Sequence, residues 1–424
     1  MRTKTYYFLN LGCPKNQVDG DYLRAVLNEN RFREIDVPSD ADFIIVNTCA
    51  FIKQARLESK GEIAELAELK KENAKIIATG CYPVLGDVRR EIPQVDAAFA
   101  FDRHHELLSY LTGGNNYYWN RERLDRINPQ TAFGYVKISD GCDNRCSYCA
   151  IPAIRGAYLS IGPEKIVAEV ESLAEYGVKE IILVAQDSAI YGNDLNPKID
   201  LADLCRLISP VDGIEWIRIM YAHPAHLATD KLEKIFSIDK VCRYLDLPIQ
   251  HISDQILRSM NRHSCSRSIK NIINFLRNFD NELSLRTTLM VGFPGESDDD
   301  FKKLLDFVEE TQFDFVGAFC YSPEPNTAAV LMDQQVDPEL AQERYELLID
   351  VAERCSAQRA SKMIGKKQKM LIDGLAADNV SYFEARSFRQ APEIDGCYHI
   401  PVVAGVKPGM LVEVLTTDVD QGVI

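Results

Sequence analysis

The chain has 424 residues, 46% of them hydrophobic and 26% charged, the proportions of an ordinary globular protein with room for about three domains. No apolar run reaches the roughly 18 residues of a membrane-spanning helix, and Met1–Tyr7 leads straight into a strand-like segment without a signal-peptide core, so a cytoplasmic protein without membrane contact is expected. A formal net charge of −15 disfavours polyanionic partners and favours basic ones, and twelve cysteines in such a compartment point to metal or redox chemistry, not to a disulfide framework.

The first third alternates apolar runs with helical patterns. Strands are expected at Tyr6–Cys13, Phe43–Cys49 and Lys75–Cys81, separated by helices over Asp19–Asn30 (Tyr22, Leu23, Val26 and Leu27 on one face) and Ile52–Glu72. Near-continuous apolar strands between helices predict a parallel sheet covered on both faces. Cys13, Cys49 and Cys81 each fall at the carboxyl end of a strand, where open α/β sheets bind ligands. Isolated cysteines are often small buried hydrophobes, but three strands ending alike point to an iron–sulfur cluster on three thiolates, with an open iron.

A polar stretch, Thr112–Asn116, separates this region from the next. There Gly134–Ile138 leads into Asp140-Gly141-Cys142-Asp143-Asn144-Arg145-Cys146-Ser147-Tyr148-Cys149. Thiolates are soft ligands suited to iron–sulfur clusters, and a 4Fe–4S cube usually takes four. Three leave one iron open to a ligand. The competing reading is zinc, which generally wants four protein ligands. CxxxCxxC is the signature of the radical S-adenosylmethionine enzymes, and this stretch resembles it.

Further strands are expected at Glu180–Gln186, Trp216–Tyr221, Tyr244–Ile249, Leu285–Val291 and Phe315–Tyr321, between helical segments such as Pro163–Tyr176 and Asp298–Thr311. Six strand–helix units predict a partial TIM-like (βα)6 barrel with its functional end at the strand carboxyl termini. Gln186 and Asp187 close the second strand, His223 the third, Gln250-His251 the fourth, and Gly292-Phe293-Pro294-Gly295-Glu296 the fifth. The last resembles the radical-enzyme segment that lies against adenine and ribose, glycine allowing close approach of the backbone. Gln186, Asp187, Gly292, Gly295 and Glu296 are therefore candidate cofactor contacts. Arg155 is a candidate for the cofactor carboxylate, as is Arg145, with a surface ion pair as the alternative. His223 and His251 read as hydrogen-bonded wall residues, and Cys205, Cys242, Cys265, Cys320 and Cys355 as packing.

A helical pattern from Asp337 to Gly365 closes this part. Short strands and turns then alternate from Met370 onward, predicting a five-stranded antiparallel barrel of OB-like size. Residues 370–424 carry three Lys/Arg (Arg386, Arg389, Lys407) against eight Asp/Glu, a net of −5. Phosphate binding needs positive charge, so this module suits a basic protein better than RNA.

Taken together, the chain resembles the methylthiotransferases, whose order is a three-cysteine cluster domain, a radical core and a TRAM β-barrel, here 1–118, 128–362 and 363–424. It is similar to the ribosomal-protein type more than the transfer-RNA type in Leu11-Gly12-Cys13-Pro14-Lys15-Asn16, Ala185-Gln186-Asp187, Pro248-Ile249-Gln250-His251, Tyr321-Ser322-Pro323-Glu324 and Ala391-Pro392-Glu393-Ile394-Asp395-Gly396. It departs from the usual pattern at Asp19-Gly20-Asp21, Ser160-Ile161-Gly162 and Glu324-Pro325-Asn326-Thr327, none of which removes a cysteine.

The resemblance implies β-methylthiolation of an aspartate on small-subunit ribosomal protein twelve, a basic substrate, with an external electron donor. One 4Fe–4S cluster, on Cys142, Cys146 and Cys149, would bind S-adenosylmethionine and yield the radical. A second, on Cys13, Cys49 and Cys81, would present the sulfur. An unactivated C–H bond offers no acidic proton, which is why cofactor radical chemistry is needed. Two other functions remain open: a transfer-RNA methylthiotransferase, and a two-cluster electron carrier, which would have no use for the Gly292–Glu296 loop.

Overall fold

The computed structural model describes residues 3–114, 117–119 and 126–419. Of the polar stretch at 112–116, Asn115 and Asn116 lie outside the described residues. The chain forms two compact units. One comprises residues up to Asn128 together with Gly141–Asp143 and Cys149–Tyr158; the other holds Pro129–Asp140, Asn144–Tyr148 and Leu159 onward.

The first unit is built on a parallel five-stranded sheet, β1 (Thr5–Asn10), β2 (Arg33–Glu34), β3 (Phe43–Thr48), β4 (Lys75–Gly80) and β5 (Ala97–Ala98), in the order β2-β1-β3-β4-β5. The central strands are apolar through their middles because both their faces are covered, and Ile44, Ile45, Val46, Ile76, Ile77 and Ala78 are fully buried. Helices Pro14–Glu29 and Lys53–Leu69 follow β1 and β3. The three long strands are those expected; β2 and β5 are additional.

The second unit carries six parallel strands: β6 (Phe133–Lys137), β9 (Glu180–Val184), β10 (Trp216–Ile219), β11 (Tyr244–Asp246), β12 (Ser284–Val291) and β13 (Phe315–Cys320). A short antiparallel pair, β7 (Ser139–Asp140) and β8 (Leu159–Ser160), brackets the cysteine loop. The strands run β6-β9-β10 and β11-β12-β13, and the two sheets meet where the Cys242 amide donates to the Ile217 carbonyl over 2.9 Å and Ala222 to Asp246 over 3.0 Å. This is the expected partial barrel. Its core joins Ile181, Leu183, Ile217, Leu245, Leu285 and Leu289 to helix residues such as Ile166, Leu204 and Leu276.

The carboxyl-terminal module has four strands among the described residues, not five: β14 (Lys367–Leu375), β15 (Tyr382–Ser387), β16 (Tyr398–Pro401) and β17 (Leu411–Leu415), antiparallel in the order β16-β15-β14-β17. A register shift between Ile372 and Gly374 bends the sheet, which curls over Met370, Ile372, Phe383 and Ala385.

Charged side chains anchor this module to the amino ends of the barrel strands. Glu180, the first residue of β9, is fully buried and accepts from Arg218 at 2.6 Å and Arg386 at 2.7 Å. The Tyr244 hydroxyl donates to Asp395 at 2.7 Å, and Tyr135 to Glu393 at 2.8 Å. Arg389 and Arg359 both grip Asp314. Much of the Ala391–Gly396 motif is thus a fastening, and it fastens the end of the barrel opposite the cysteine loop.

Candidate functional site

The strand-end cysteines lie where the register of the first sheet brings them. Asn47 pairs with both Asn10 and Thr79, and Thr48 with Gly80, so β1, β3 and β4 end side by side and Cys13, Cys49 and Cys81 leave the same edge. The Cys81 amide continues the ladder to the Thr48 carbonyl at 2.9 Å. Glycines before two of the cysteines permit the exit. Gly12 (φ +91°) and Gly80 (φ +94°) have left-handed backbones, and a Cβ on Gly12 would meet the Cys49 side chain at 2.6 Å. Cys49 and Cys81 are buried and Cys13 half-buried. Burial pushes the Cys81 thiol up to about 12 despite the Arg155 charge, and neighbouring Cys13 and Cys49 raise it further. Burial raises Cys49 too. Neighbouring thiols that oppose one another's ionisation become thiolates together more readily when a metal binds them.

Thiolates sharing a zinc would lie about 2.3 Å from it and so well within 4.8 Å of one another. The groups of three ligand atoms that close, among the described residues, are Asp187–His223–His226 and Glu384–Cys397–His399, and none of the six cysteines of the two sets is among them.

In the second unit, Asn144 and Cys146 of the cysteine loop are held by the barrel. The Asn144 amide donates to Asp187 at 2.9 Å, the Ser147 amide to the Met260 carbonyl at 3.0 Å, and the Asn261 side chain to the Arg145 carbonyl at 2.9 Å. Asp187, expected to contact cofactor, is fully buried and also accepts from Ala189, His223 and His226. Burial pushes its carboxyl up, but the bonds from His226 and Asn144 and the nearby histidines hold it below the usual range. It is a pin for the loop. Gln186 beside it is half-buried.

The loop after β12 is shaped by its own carboxylate. Glu296 accepts from the Gly292 amide and lies 3.6 Å from Arg344, while the Gly295 amide donates to the Gln334 carbonyl at 2.9 Å. Phe293 stands edge-on to Tyr148 (6.4 Å between centroids) and to Tyr321 (5.5 Å), with Ile256, Met260 and Met290 behind. This is an apolar wall beside the cysteine loop.

Around it, several buried polar atoms have no hydrogen-bond partner among the described residues: His223 Nε2, Gln250 Oε1, Arg262 Nε, Ser264 Oγ and Tyr321 Oη, while His251 Nε2 and Glu296 Oε1 face each other at 3.7 Å. Buried polar groups normally find a partner in protein, water or a ligand, which makes this group of atoms a candidate ligand lining. Both histidines are wall residues, each accepting through Nδ1 from the amide two residues on, at 3.1 Å for His223 and 2.9 Å for His251. Their Nε2 atoms therefore carry the proton. Burial and the Arg262 charge lower His223 to about 3, so it stays neutral. Arg262, only 7% exposed, donates to Tyr148 Oη at 3.1 Å and the Pro248 carbonyl at 2.5 Å and lies 3.9 Å from Cys146 Sγ; no carboxylate is among its described partners. Tyr221 (φ 61°), Gln250 (φ 69°) and Arg145 (φ 49°) hold left-handed backbone here, strain that gathers at functional sites.

Arg155 belongs to the first unit, and its guanidinium contacts Asp19, Asn16 and Cys81. Tyr148 and Arg262 escaped sequence reasoning, although Tyr148 sits inside the cysteine motif. Cys265 is exposed and is not packing; it caps helix Ser266–Phe279. Cys205, Cys242 and Cys355 are buried and Cys320 is half-buried. Arg145 makes no ion pair among the described residues.

A partial parallel barrel with a CxxxCxxC loop at its strand carboxyl ends defines a radical S-adenosylmethionine enzyme. Consistent with this, residues 136–308 match the Radical SAM superfamily, 5–100 the Uncharacterized protein family UPF0004, and 364–422 the TRAM domain. Among solved structures, the radical S-adenosylmethionine methyltransferase TsrM from Kitasatospora setae superposes with a TM-score of 0.58 at 13% identity, over 77% of each chain. The ribosomal protein uS12 methylthiotransferase RimO of Geobacter sulfurreducens is 40% identical, covering 97% of this chain and 95% of its own; that of Acetivibrio thermocellus is 38% identical, over 97% and 96%. The chain belongs to the RimO methylthiotransferase family.

Proposed function

We propose that this enzyme adds a methylthio group to the β-carbon of an aspartate of ribosomal protein uS12, using two 4Fe–4S clusters and S-adenosylmethionine. Cys142, Cys146 and Cys149 would hold one cluster, and Cys13, Cys49 and Cys81 the other. The three parts are a cluster domain (1–118), a radical core (128–362) and the TRAM module (363–424). The observation that carries this reading is the pair of three-thiol sets, each following the carboxyl end of a parallel strand, in a chain of this family.

When bound, the clusters and S-adenosylmethionine supply a carbon-centred radical, sulfur and methyl, chemistry no side chain offers. The chain's own groups arrange it. Asp187 and Asn144 set the loop that presents Cys146. Arg262 and the His223 Nε2–H are buried donors with no carboxylate partner among the described residues, fit for a carboxylate of the cofactor or of the aspartate. Tyr148, Phe293 and Tyr321 provide the dry wall a radical requires. Gly292, Gly295, Glu296 and Gln186 form the rim of the cofactor site.

No helix of the described residues is long and apolar enough to cross a membrane; a ribosomal protein as substrate supports a cytoplasmic enzyme, and radical chemistry of this kind calls for an external electron donor. In the module, Arg386 and Arg389 spend their charge in buried ion pairs and Lys366, Lys367 and Lys369 pair with Glu282, Glu413 and Glu215, which leaves Lys407 as its basic residue without an ion pair among the described residues. That favours a basic protein over RNA as the partner of the module. Mass spectrometry of uS12 from cells with and without this enzyme tests the proposal. The added methylthio mass on one aspartate is expected; its absence, with methylthio-adenosine in transfer RNA, would overturn the assignment.

A further inference from the structure

The Arg155 guanidinium lies in the first unit with its side chain 1% exposed. Nη2 donates to Cys81 Sγ at 3.2 Å and to Asn16 Oδ1 at 3.3 Å, and Nη1 to Asp19 Oδ2 at 2.5 Å. Its face covers the Phe101 ring, 4.0 Å from the centroid. Asn16 is in turn tied to two strand ends, donating to the Leu11 carbonyl at 2.8 Å and the Thr48 carbonyl at 3.3 Å. One cation therefore engages the sulfur that follows β4 and, through Asn16, the backbone that carries Cys13 and Cys49.

The arginine reaches this place from helix Ile151–Arg155, which begins two residues after Cys149. Ala150 and Ile154 of that segment pack in the same core as Cys81 and Tyr82. A buried arginine costs several kcal/mol unless it is paired and its donors are used. Asp19 pairs it, and both Nη2 donors are used, one on the Asn16 amide oxygen and one on sulfur. Hydrogen bonds and charge at cluster sulfurs tune reduction potentials, and groups around a ligand orient it.

Resting on the two-cluster reading above, we propose that Arg155 is a positioning residue for the strand-end cluster, holding Cys81 through the Asp19–Arg155–Cys81 chain and setting that cluster's reduction potential. A positive charge beside the sulfur favours the reduced, more anionic state, so its removal makes reduction harder.

The test uses the full chain with Cys142, Cys146 and Cys149 replaced by alanine, so that any remaining cluster is the strand-end one, followed by reductive titration with electron paramagnetic resonance. Arg155→Gln in this background is expected to move the midpoint to a more negative potential and to alter the signal of the reduced cluster. Arg155→Lys keeps the charge and should restore most of the potential. Asp19→Asn removes the negative charge that offsets the arginine and leaves the cation in place; it should shift the midpoint in the opposite direction, to a less negative potential, and it stands in if Arg155→Gln does not fold. Equal midpoints in the parent, Gln and Asn variants, or equal shifts in the Gln and Lys variants, would overturn the proposal. A parent that binds no cluster at all would instead sink the two-cluster reading.

Discussion

Asn144 Nδ2 donates to Asp187 Oδ2 across 2.9 Å, tying the middle of the CxxxCxxC loop to the carboxyl end of β9. Asp187 is fully buried and His226 holds the same oxygen at 2.6 Å, so the pin is rigid. Asp187→Ala should leave Asn144 and His226 unmatched and the loop free to open. Iron analysis after anaerobic reconstitution is expected to show loss of the CxxxCxxC cluster with the strand-end cluster retained; full occupancy of both would show the pin is dispensable.

Arg262 is the second prediction. A charge-assisted hydrogen bond is worth about 1.5–3 kcal/mol, roughly a ten- to hundredfold change in affinity. Arg262→Gln should weaken S-adenosylmethionine binding by that factor in equilibrium dialysis if the cofactor carboxylate is its partner. If the aspartate is its partner, dialysis is unchanged and the Michaelis constant for a uS12 peptide rises instead. No change in either would leave the buried cation without the role assigned to it.

The strands and both cysteine sets were legible in the residue pattern because buried parallel strands leave long apolar runs, and Gly12-Cys13 and Gly80-Cys81 mark where they stop. Arg33–Glu34 and Ala97–Ala98 were not, since two-residue strands have no periodicity to detect. Arg155 and Arg262 show the harder limit. Both are arginines near the cysteine motif or a strand end, and only the packing of Ala150 and Ile154 in the core beside Cys81 decides that the first turns to Cys81. The second betrays itself only by the lack of a carboxylate partner among the described residues. Glu393 and Asp395, part of a motif read as a family mark, prove to be anchors on Tyr135, Tyr244 and Arg286.

Glu180 carries the third prediction. Burial raises its carboxyl, yet Arg218 and Arg386 hold it below the ordinary glutamate value. A lowered folded-state value means stability that is present above the unfolded value near 4.3 and lost as pH falls through the folded one. Glu180→Gln leaves two buried guanidinium groups facing a neutral amide and should cost about 3–5 kcal/mol. Urea denaturation at pH 7 checks the magnitude; a cost below about 1 kcal/mol would mean the anchor is not a determinant of stability.

His223 acts in a higher pH window. Its folded value of about 3 lies below the unfolded value of about 6.5, so the unfolded chain takes up a proton first. Stability should therefore fall below pH 6.5, at up to about 1.4 kcal/mol per pH unit from this group. His223→Gln is expected to flatten the denaturation midpoint between pH 6.5 and 5 relative to wild type; an unchanged slope would contradict a neutral, buried imidazole.

The two cysteine sets should separate in activity. Cys13→Ala is expected to abolish methylthio transfer while sparing much of the reductive cleavage of S-adenosylmethionine, and Cys146→Ala to abolish both. Chromatographic assay of 5′-deoxyadenosine decides it: equal loss of cleavage in the two variants would show that the roles are not divided.

The central claim, two clusters each on three thiolates, is tested most directly by Mössbauer spectroscopy on reconstituted protein. The wild type should hold two 4Fe–4S clusters per chain. The Cys13/Cys49/Cys81 triple alanine variant and the Cys142/Cys146/Cys149 variant should each hold one. A wild-type chain with a single cluster, or a strand-end triple variant that keeps the wild-type iron content, would contradict the account.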